Sequence, residues 1–220
     1  MYLNFHTHFA SKSSNSENIF NVIVETDTIR DISWMKMESV SLGIHPWYIK
    51  KESLALCLDF LRENVARPNV KFIGEAGLDK VKGADWAIQK DVFLQQIQIA
   101  EDIRKPMVIH CVRAFNELVS LKIARKPKVP MVVHGFVKKL SLAQELIGHG
   151  FKLSFGSDLL SNPQVKEVFI ETPIESLFLE TDDCEYLEIE RIYEEAAFIK
   201  KMNVEDLKRE IYRNYLELYL

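Results

Sequence analysis

Eight short apolar runs punctuate this chain, and most of the gaps between them carry helical periodicity. The runs are Tyr2 to Phe5, Phe20 to Val24, Val40 to Ile44, Val70 to Gly74, Met107 to Ile109, Met131 to Val133, Phe151 to Ser154 and Leu177 to Glu180. Short apolar runs of this kind read as buried strands. Between them, Phe93, Ile97, Ala100 and Ile103 keep the spacing of one apolar helical face. Ser141 with Gln144 reads as a capping box, with Gly148 and Gly150 closing that helix and His149 as its C-terminal cap residue. Asn162 before Pro163 is a cap with proline at the first helical position, and Asn203 with Asp206 opens a last helix whose stripe is Leu207, Ile211, Tyr215 and Leu218. Alternating strands and helices mean a parallel sheet, and eight such strands close most simply into a (β/α)8 TIM barrel. A doubly wound open sheet is the alternative, but it would not bring the ends of strands 1, 3, 4, 5, 6 and 8 to one point. The Ser- and Asn-rich segment Phe9 to Ile19 reads as a loop, and Thr26 to Ser39 is barely a helix, so the barrel wall is expected to be reduced between strands 1 and 3.

What closes these runs narrows the chemistry. His6 and His8 follow the first, His45 the third, His110 the fifth and His134 the sixth, while Glu75 closes Val-Lys-Phe-Ile-Gly and Asp182 ends Leu-Phe-Leu-Glu-Thr. Neutral imidazoles and carboxylates are the donors that borderline divalent metals take. A strand repeats every two residues, so His6 and His8 project from one face roughly 6 to 7 Å apart along the backbone and can grip one ion. Alone, such a pair also reads as solvated or as a hydrogen-bonded core pair; the further ligand-type residues at equivalent strand ends favour a metal site. In a barrel those ends converge on one mouth.

At 220 residues with 47% hydrophobic content, the chain is expected to form one domain, 1–220, burying roughly 70% of its unfolded surface. The N-terminus enters a strand without a basic region and long apolar run, and nothing approaches the roughly 20 apolar residues of a membrane span. A cytoplasmic protein with no membrane partner and no obligate protein partner is expected. Three irregularly spaced cysteines, Cys57, Cys111 and Cys184, suggest reduced thiols. The net charge of −4 argues against non-specific coating with nucleic acid, which depends on clustered Lys and Arg. Locally, basic residues follow the ligand-bearing runs: Lys50 and Lys51, Lys80 and Lys82, Arg113, Lys138 and Lys139. They read either as a cationic rim facing a phosphate or as ordinary solvated loop lysines.

The ordered set Phe5-His6-Thr7-His8, Gly43-Ile44-His45-Pro46-Trp47, Gly74-Glu75-Ala76-Gly77-Leu78-Asp79, His110-Cys111, His134-Gly135-Phe136 and Glu180-Thr181-Asp182 resembles the TatD family of metal-dependent hydrolases over nearly the whole chain. The resemblance implies a barrel of the amidohydrolase-like superfamily, one or two divalent ions (Zn, Mn or Mg), and hydrolysis of phosphodiesters, commonly DNA. It places His6, His8 and Asp182 on one ion, Glu75 as a bridge, His110 and His134 on a second ion, and His45 against substrate phosphate. The chain departs from the family pattern at Phe9-Ala10, at Lys80, at Arg113 and at Asp183-Cys184. These departures leave the ligand positions intact and fall on the substrate side.

Elementary chemistry leads to the same class. Two ions about 3.5 to 4 Å apart acidify a shared water and stabilise charge on attacking and leaving oxygens, and a carboxylate such as Glu75 can hold them close. Asp182 can ligate an ion and also accept the nucleophile's proton. Arg113 and Lys138 are candidate phosphate contacts, and His45-Pro46-Trp47-Tyr48 offers an imidazole and two aromatic faces that suit unstacked bases, although Trp47 also reads as wall packing. Beside a phosphodiesterase or nuclease stand two alternatives: a hydrolase of another ester, phosphomonoester or amide, and a metal-holding interaction module without turnover.

Overall fold

The computed structural model describes residues 1–9 and 15–220; Ala10, one of the departures named above, lies outside them. Among the described residues the elements are β1 (Tyr2–Thr7), β2 (Ser16–Ile23), α1 (Thr26–Arg30), β3 (Val40–Gly43), α2 (Leu54–Asn64), β4 (Val70–Asp79), α3 (Trp86–Ile103), β5 (Met107–Val112), α4 (Phe115–Arg125), β6 (Met131–Val133), α5 (Leu140–Gly148), β7 (Phe151–Phe155), α6 (Asp158–Ser161), α7 (Pro163–Glu171), β8 (Leu177–Leu179), α8 (Ile189–Lys200) and α9 (Val204–Glu217). The strands follow chain order in one eight-stranded sheet, with helices between them: the (β/α)8 class the alternation predicts. No helix among the described residues is long and apolar enough to cross a membrane.

The chain gathers into two compact units, Met1–Phe20 with Val132–Leu220, and Asn21–Met131. In the first, β1 pairs in parallel with β2, β7 with β8, and Thr7 forms a parallel bridge to Asp182 just beyond β8. Its core stacks Phe5 on Phe178 with ring centroids 4.4 Å apart and sets Phe155 against Phe136 and Phe169. Each such buried ring contributes about 1.5–3 kcal/mol. Helix α8 is pinned to β1 through the buried Tyr193, whose hydroxyl donates to Leu3 O (3.0 Å) and accepts from Leu3 N (3.3 Å). In the second unit β3, β4 and β5 pair in parallel. β4 is buried along nearly its whole length, as strands covered on both faces must be.

The helix signals hold where a side chain performs the cap. Asn162 accepts from Gln164 N and Val165 N ahead of Pro163 and Asn203 accepts from Asp206 N; His149 closes α5 through its backbone N–H, and the stripe Leu207, Ile211, Tyr215 and Leu218 is buried. Ser141 does not cap: α5 begins at Leu140 behind Lys139, with no side-chain cap bond. The loop expected over Phe9 to Ile19 is cut short by β2, which starts at Ser16. Its polar residues are used there, since Asn4 Nδ2 donates to Asn18 Oδ1 at 3.1 Å. Four strands also run past their apolar runs. β1 continues through His6 to Thr7, β4 through Glu75 to Asp79, β5 through His110 to Val112, and β7 to Phe155. Backbone pairing does not stop where hydrophobicity does.

Candidate metal centres

In the first unit, strand alternation places His6 and His8 together, with ring centroids 5.3 Å apart. His6 is fully buried and His8 is partly open. Asp182 is laced to the same strand: its N–H donates to His6 O and its carbonyl accepts from His8 N, both at 3.0 Å. Its φ of +51° is a left-handed conformation that Asp tolerates better than most residues. The cost is about 1–3 kcal/mol, and the two backbone bonds hold it. Asp182 Oδ1 then lies 3.5 Å from both His6 Nε2 and His8 Nε2. His134, directly after β6, brings its ring centroid to 4.5 Å from that of His6. His6, His134 and Asp182 each offer a donor atom within 4.8 Å of the others. Behind His134 sits the fully buried Glu180, whose Oε1 accepts from Gly135 N at 2.7 Å and lies 3.5 Å from His134 Nδ1.

In the second unit, the Gly-Glu-Ala-Gly segment lets β4 press against β5. A Cβ on Gly77 would stand 1.9 Å from His110 O, and one on Gly74 would stand 2.4 Å from Val108 O. Between these glycines the buried Glu75 is clamped by Asn21, whose Nδ2 donates to Oε2 at 2.9 Å while its Oδ1 accepts from Glu75 N (3.2 Å) and Ser41 Oγ (3.3 Å). Glu75 Oε1 lies 2.8 Å from His110 Nδ1 and 3.1 Å from His45 Nε2. His45 Nδ1 accepts from Trp47 N–H at 3.1 Å. Its neutral ring therefore carries the proton on Nε2 and donates toward Glu75. This tautomer makes His45 a donor to an anion, and leaves Glu75 Oε1 and His110 Nδ1 as the electron-pair donors of the trio that converges here.

Asp79 ties this cluster to the loop beyond β4. Its Oδ2 accepts from Trp47 Nε1 at 2.6 Å and lies 3.3 Å from His110 Nε2, while Oδ1 accepts from Val81 N (2.7 Å) and Lys82 N (3.0 Å). Burial pushes the Asp79 carboxyl up, but the hydrogen bonds from Trp47, Val81, Lys82 and His110 outweigh it and hold it below the usual carboxylate range. The pinned indole meets His45 and His110 edge-on, with centroids at 4.9 and 5.5 Å, and the Lys82 ammonium sits 3.7 Å over its ring.

The residues singled out in the sequence thus fall into two groups, His6, His8, His134 and Asp182 in the first unit, and His45, Glu75 and His110 in the second. His134, which the resemblance pairs with His110, shares a donor group with His6 and Asp182. Arg113 is exposed after β5 with φ +52°, Lys138 is half-buried and Lys139 exposed after His134. Lys80 pairs with Glu117, and Lys51 lies 3.6 Å from Asp85. Sequence reading missed Asn21, Asp79 and Glu180. The last two are visible in hindsight as acids beside apolar runs; a lone Asn in β2 carries no such signal.

The sequence profile of the TatD related DNase family matches residues 7–220. An uncharacterized metal-dependent hydrolase of Methanocaldococcus jannaschii is 27% identical over 192 residues, covering 82% of this chain and 75% of the relative. The deoxyribonuclease Tat-D of Schizosaccharomyces pombe is 26% identical over 178 residues, covering 79% of this chain and 55% of that longer protein. The crystal structure of YjjV, a TatD homolog from Escherichia coli K12, matches with a TM-score of 0.82 at 19% identity, covering 99% of this chain and 97% of the other. The structural likeness speaks for the fold, and the profile match for descent. This chain belongs to the TatD related DNase family and is a metal-dependent hydrolase.

Proposed function

We propose that this protein hydrolyses phosphodiester bonds, with DNA as its substrate. The reading rests on one observation beyond the family itself. Beside the Glu75–His110 pair stand an imidazole, that of His45, whose Nε2–H donates to Glu75 and passes to another anion once Glu75 turns to an ion, and an indole pinned by Asp79 with the Lys82 ammonium over one face. A donor suits a phosphate oxygen, a cation suits its charge, and a fixed aromatic face suits an unstacked base. The name of the fission-yeast relative, a deoxyribonuclease, supports the same substrate.

The donor set fits a divalent ion, since neutral imidazoles and carboxylates without thiolate suit Zn, Mn or Mg. The 3.5 Å spacing of Asp182 Oδ1 from two imidazole nitrogens matches the roughly 3.3 Å between ligands that bonds of about 2.0–2.1 Å impose around a tetrahedral ion. His6, His8, His134 and Asp182 would hold one ion, and Glu75 and His110 would hold another. When bound, such ions acidify water and neutralise charge developing on phosphoryl oxygens. The chain's own residues do the rest. Asp182, part-open to solvent on its strained turn, accepts a proton from the attacking water. Lys138 contacts phosphate beside that first cluster, and in the second unit His45 donates to a phosphate oxygen with Arg113 as a further phosphate contact.

The test is turnover by the purified protein loaded with Mg, Mn or Zn, against single- and double-stranded DNA, RNA, a chromogenic phosphodiester, a phosphomonoester and an amide. Metal-dependent cleavage of DNA and of the diester is expected. Turnover of the monoester or amide alone would overturn the substrate class, and ion binding with no turnover of any of them would make this a binding module.

A further inference from the structure

His110 carries a carboxylate on each ring nitrogen: Glu75 Oε1 at 2.8 Å from Nδ1 and Asp79 Oδ2 at 3.3 Å from Nε2. The two carboxylates are not equivalent. Glu75 belongs to the converging donor group with His45 and His110, so Nδ1 is the nitrogen on the ion's side. Asp79 lies on the opposite side of the ring, is buried, and its two oxygens divide their labour. Oδ1 accepts the Val81 and Lys82 N–H groups that fold the loop after β4, while Oδ2 faces side-chain nitrogens, those of Trp47 and His110.

A neutral imidazole has one N–H and one lone pair, and the hydrogen bond made by one nitrogen decides which atom keeps the pair. We infer that Asp79 is a positioning residue that accepts a hydrogen bond from His110 Nε2–H and thereby presents the Nδ1 lone pair, with Glu75, to a divalent ion. The same oxygen accepts from the Trp47 indole, so the orientation of a ligand and of the aromatic platform are set by one atom. A carboxylate behind a ligating imidazole also raises its basicity, and loss of such a partner weakens metal binding by about 10- to 100-fold. The inference rests on the proposed ion-holding role of Glu75 and His110.

Asp79→Asn is the discriminating variant because it treats the two oxygens differently. An amide oxygen at the Oδ1 position still accepts from Val81 and Lys82, so the loop keeps its anchor. The amide NH2 then replaces Oδ2 and presents donors to His110 Nε2, which can answer only as an acceptor, with its proton displaced onto Nδ1. Zinc affinity at this cluster, measured by chelator competition in the His6→Ala/His8→Ala background, is expected to fall about 10- to 100-fold. In Asp79→Ala the loop anchor is lost as well, and the fall should be at least as large. Ring ¹⁵N spectra of the zinc-loaded His6→Ala/His8→Ala protein, with Asp79 intact, should show His110 metallated on Nδ1 and protonated on Nε2.

If Asp79 only scaffolds the loop, Asp79→Asn will bind zinc within about twofold of its parent, and the inference falls. Zinc on Nε2 of His110 would overturn it even if the variants fold poorly. Zinc binding that is also unaffected by Glu75→Ala and His110→Ala would instead overturn the assignment of this cluster, and the inference with it.

Discussion

The two clusters are built from the same residue types and held in opposite ways. In the first unit, Asp182 stands 3.5 Å from each of two imidazole nitrogens, a separation near the roughly 3.3 Å between ligands of a tetrahedral ion with bonds of about 2.0–2.1 Å. In the second, Glu75 lies 2.8 and 3.1 Å from His110 and His45, a contracted group in which His45 Nε2–H donates to Glu75. One cluster is spaced for an ion; the other must exchange a hydrogen bond for one. The backbones differ in parallel. His8, His134 and Asp182 lie just past their strands, and Asp182 depends on two bonds to β1, whereas Glu75 and His110 sit inside β4 and β5, where glycines bring the strands together.

The largest expected effect breaks the spaced cluster outright. His6→Ala with His8→Ala removes two of its four donors at the end of β1, and turnover should fall to background with loss of that cluster's ion. The fold should survive, because His8 is part-exposed and the packing of β1 rests on Leu3, Phe5 and the Tyr193 bonds. Metal analysis and circular dichroism on one sample check both halves. Unchanged metal content would remove the first cluster from the mechanism.

Asp182→Asn should come next, because asparagine keeps an oxygen that can approach an ion but cannot take a proton at neutral pH. A turnover number lower by about 10²- to 10⁴-fold, with KM nearly unchanged, is expected of a lost general base. Near-full metal content with turnover within about threefold of wild type would leave Asp182 as a ligand only. Asparagine also tolerates the left-handed backbone at this position, so the substitution should not disturb the turn itself.

How visible each cluster is in the sequence follows from the same difference. The first cluster's donors follow apolar runs and lie at or near strand ends, His8 and His134 directly after β1 and β6, Asp182 three residues beyond β8 and His6 one residue before the end of β1, so they can be picked out by position. In the second, β4 and β5 run on to Asp79 and Val112, so Glu75, the carboxylate that closes an apolar run, lies in mid-strand. The barrel class was legible because strand–helix alternation survives errors of a few residues at strand ends. The partner Asn21 was not, nor was the role of Asp79. Their roles depend on strand register and on a cross-strand approach allowed by Gly74 and Gly77, which no local pattern encodes. Ser141 failed for a smaller reason, since its capping signal lost to a helix whose N-cap, Lys139, stands two residues earlier.

The contrast in spacing predicts a gap in affinity. Opening the Glu75 cluster exchanges the His45–Glu75 hydrogen bond, worth about 0.5–1.5 kcal/mol, so its ion should bind up to about tenfold more weakly than the ion of the spaced cluster. Zinc titration of His6→Ala/His8→Ala, which isolates the second cluster, against His110→Ala, which isolates the first, measures this by calorimetry. Equal affinities, or a tighter second cluster, would mean that the contracted geometry relaxes without cost.

The smallest effect concerns the cations that follow the first cluster. Lys138 is half-buried and Lys139 exposed, a short way along the chain from His134, and both are near enough in sequence to face a phosphate beside Asp182 without touching an ion. Exposed charges act weakly and through screened fields, so Lys138→Glu with Lys139→Glu should leave the turnover number and metal content intact. The KM for an oligonucleotide should rise several-fold at low ionic strength and converge on wild type as salt increases, because that affinity depends on phosphate neutralisation. A small uncharged ester should show no change at any salt. If both substrates shift together, these lysines shape the loop after β6 rather than contact phosphate, and recognition would rest on His45, Trp47 and Lys82 beside the contracted cluster.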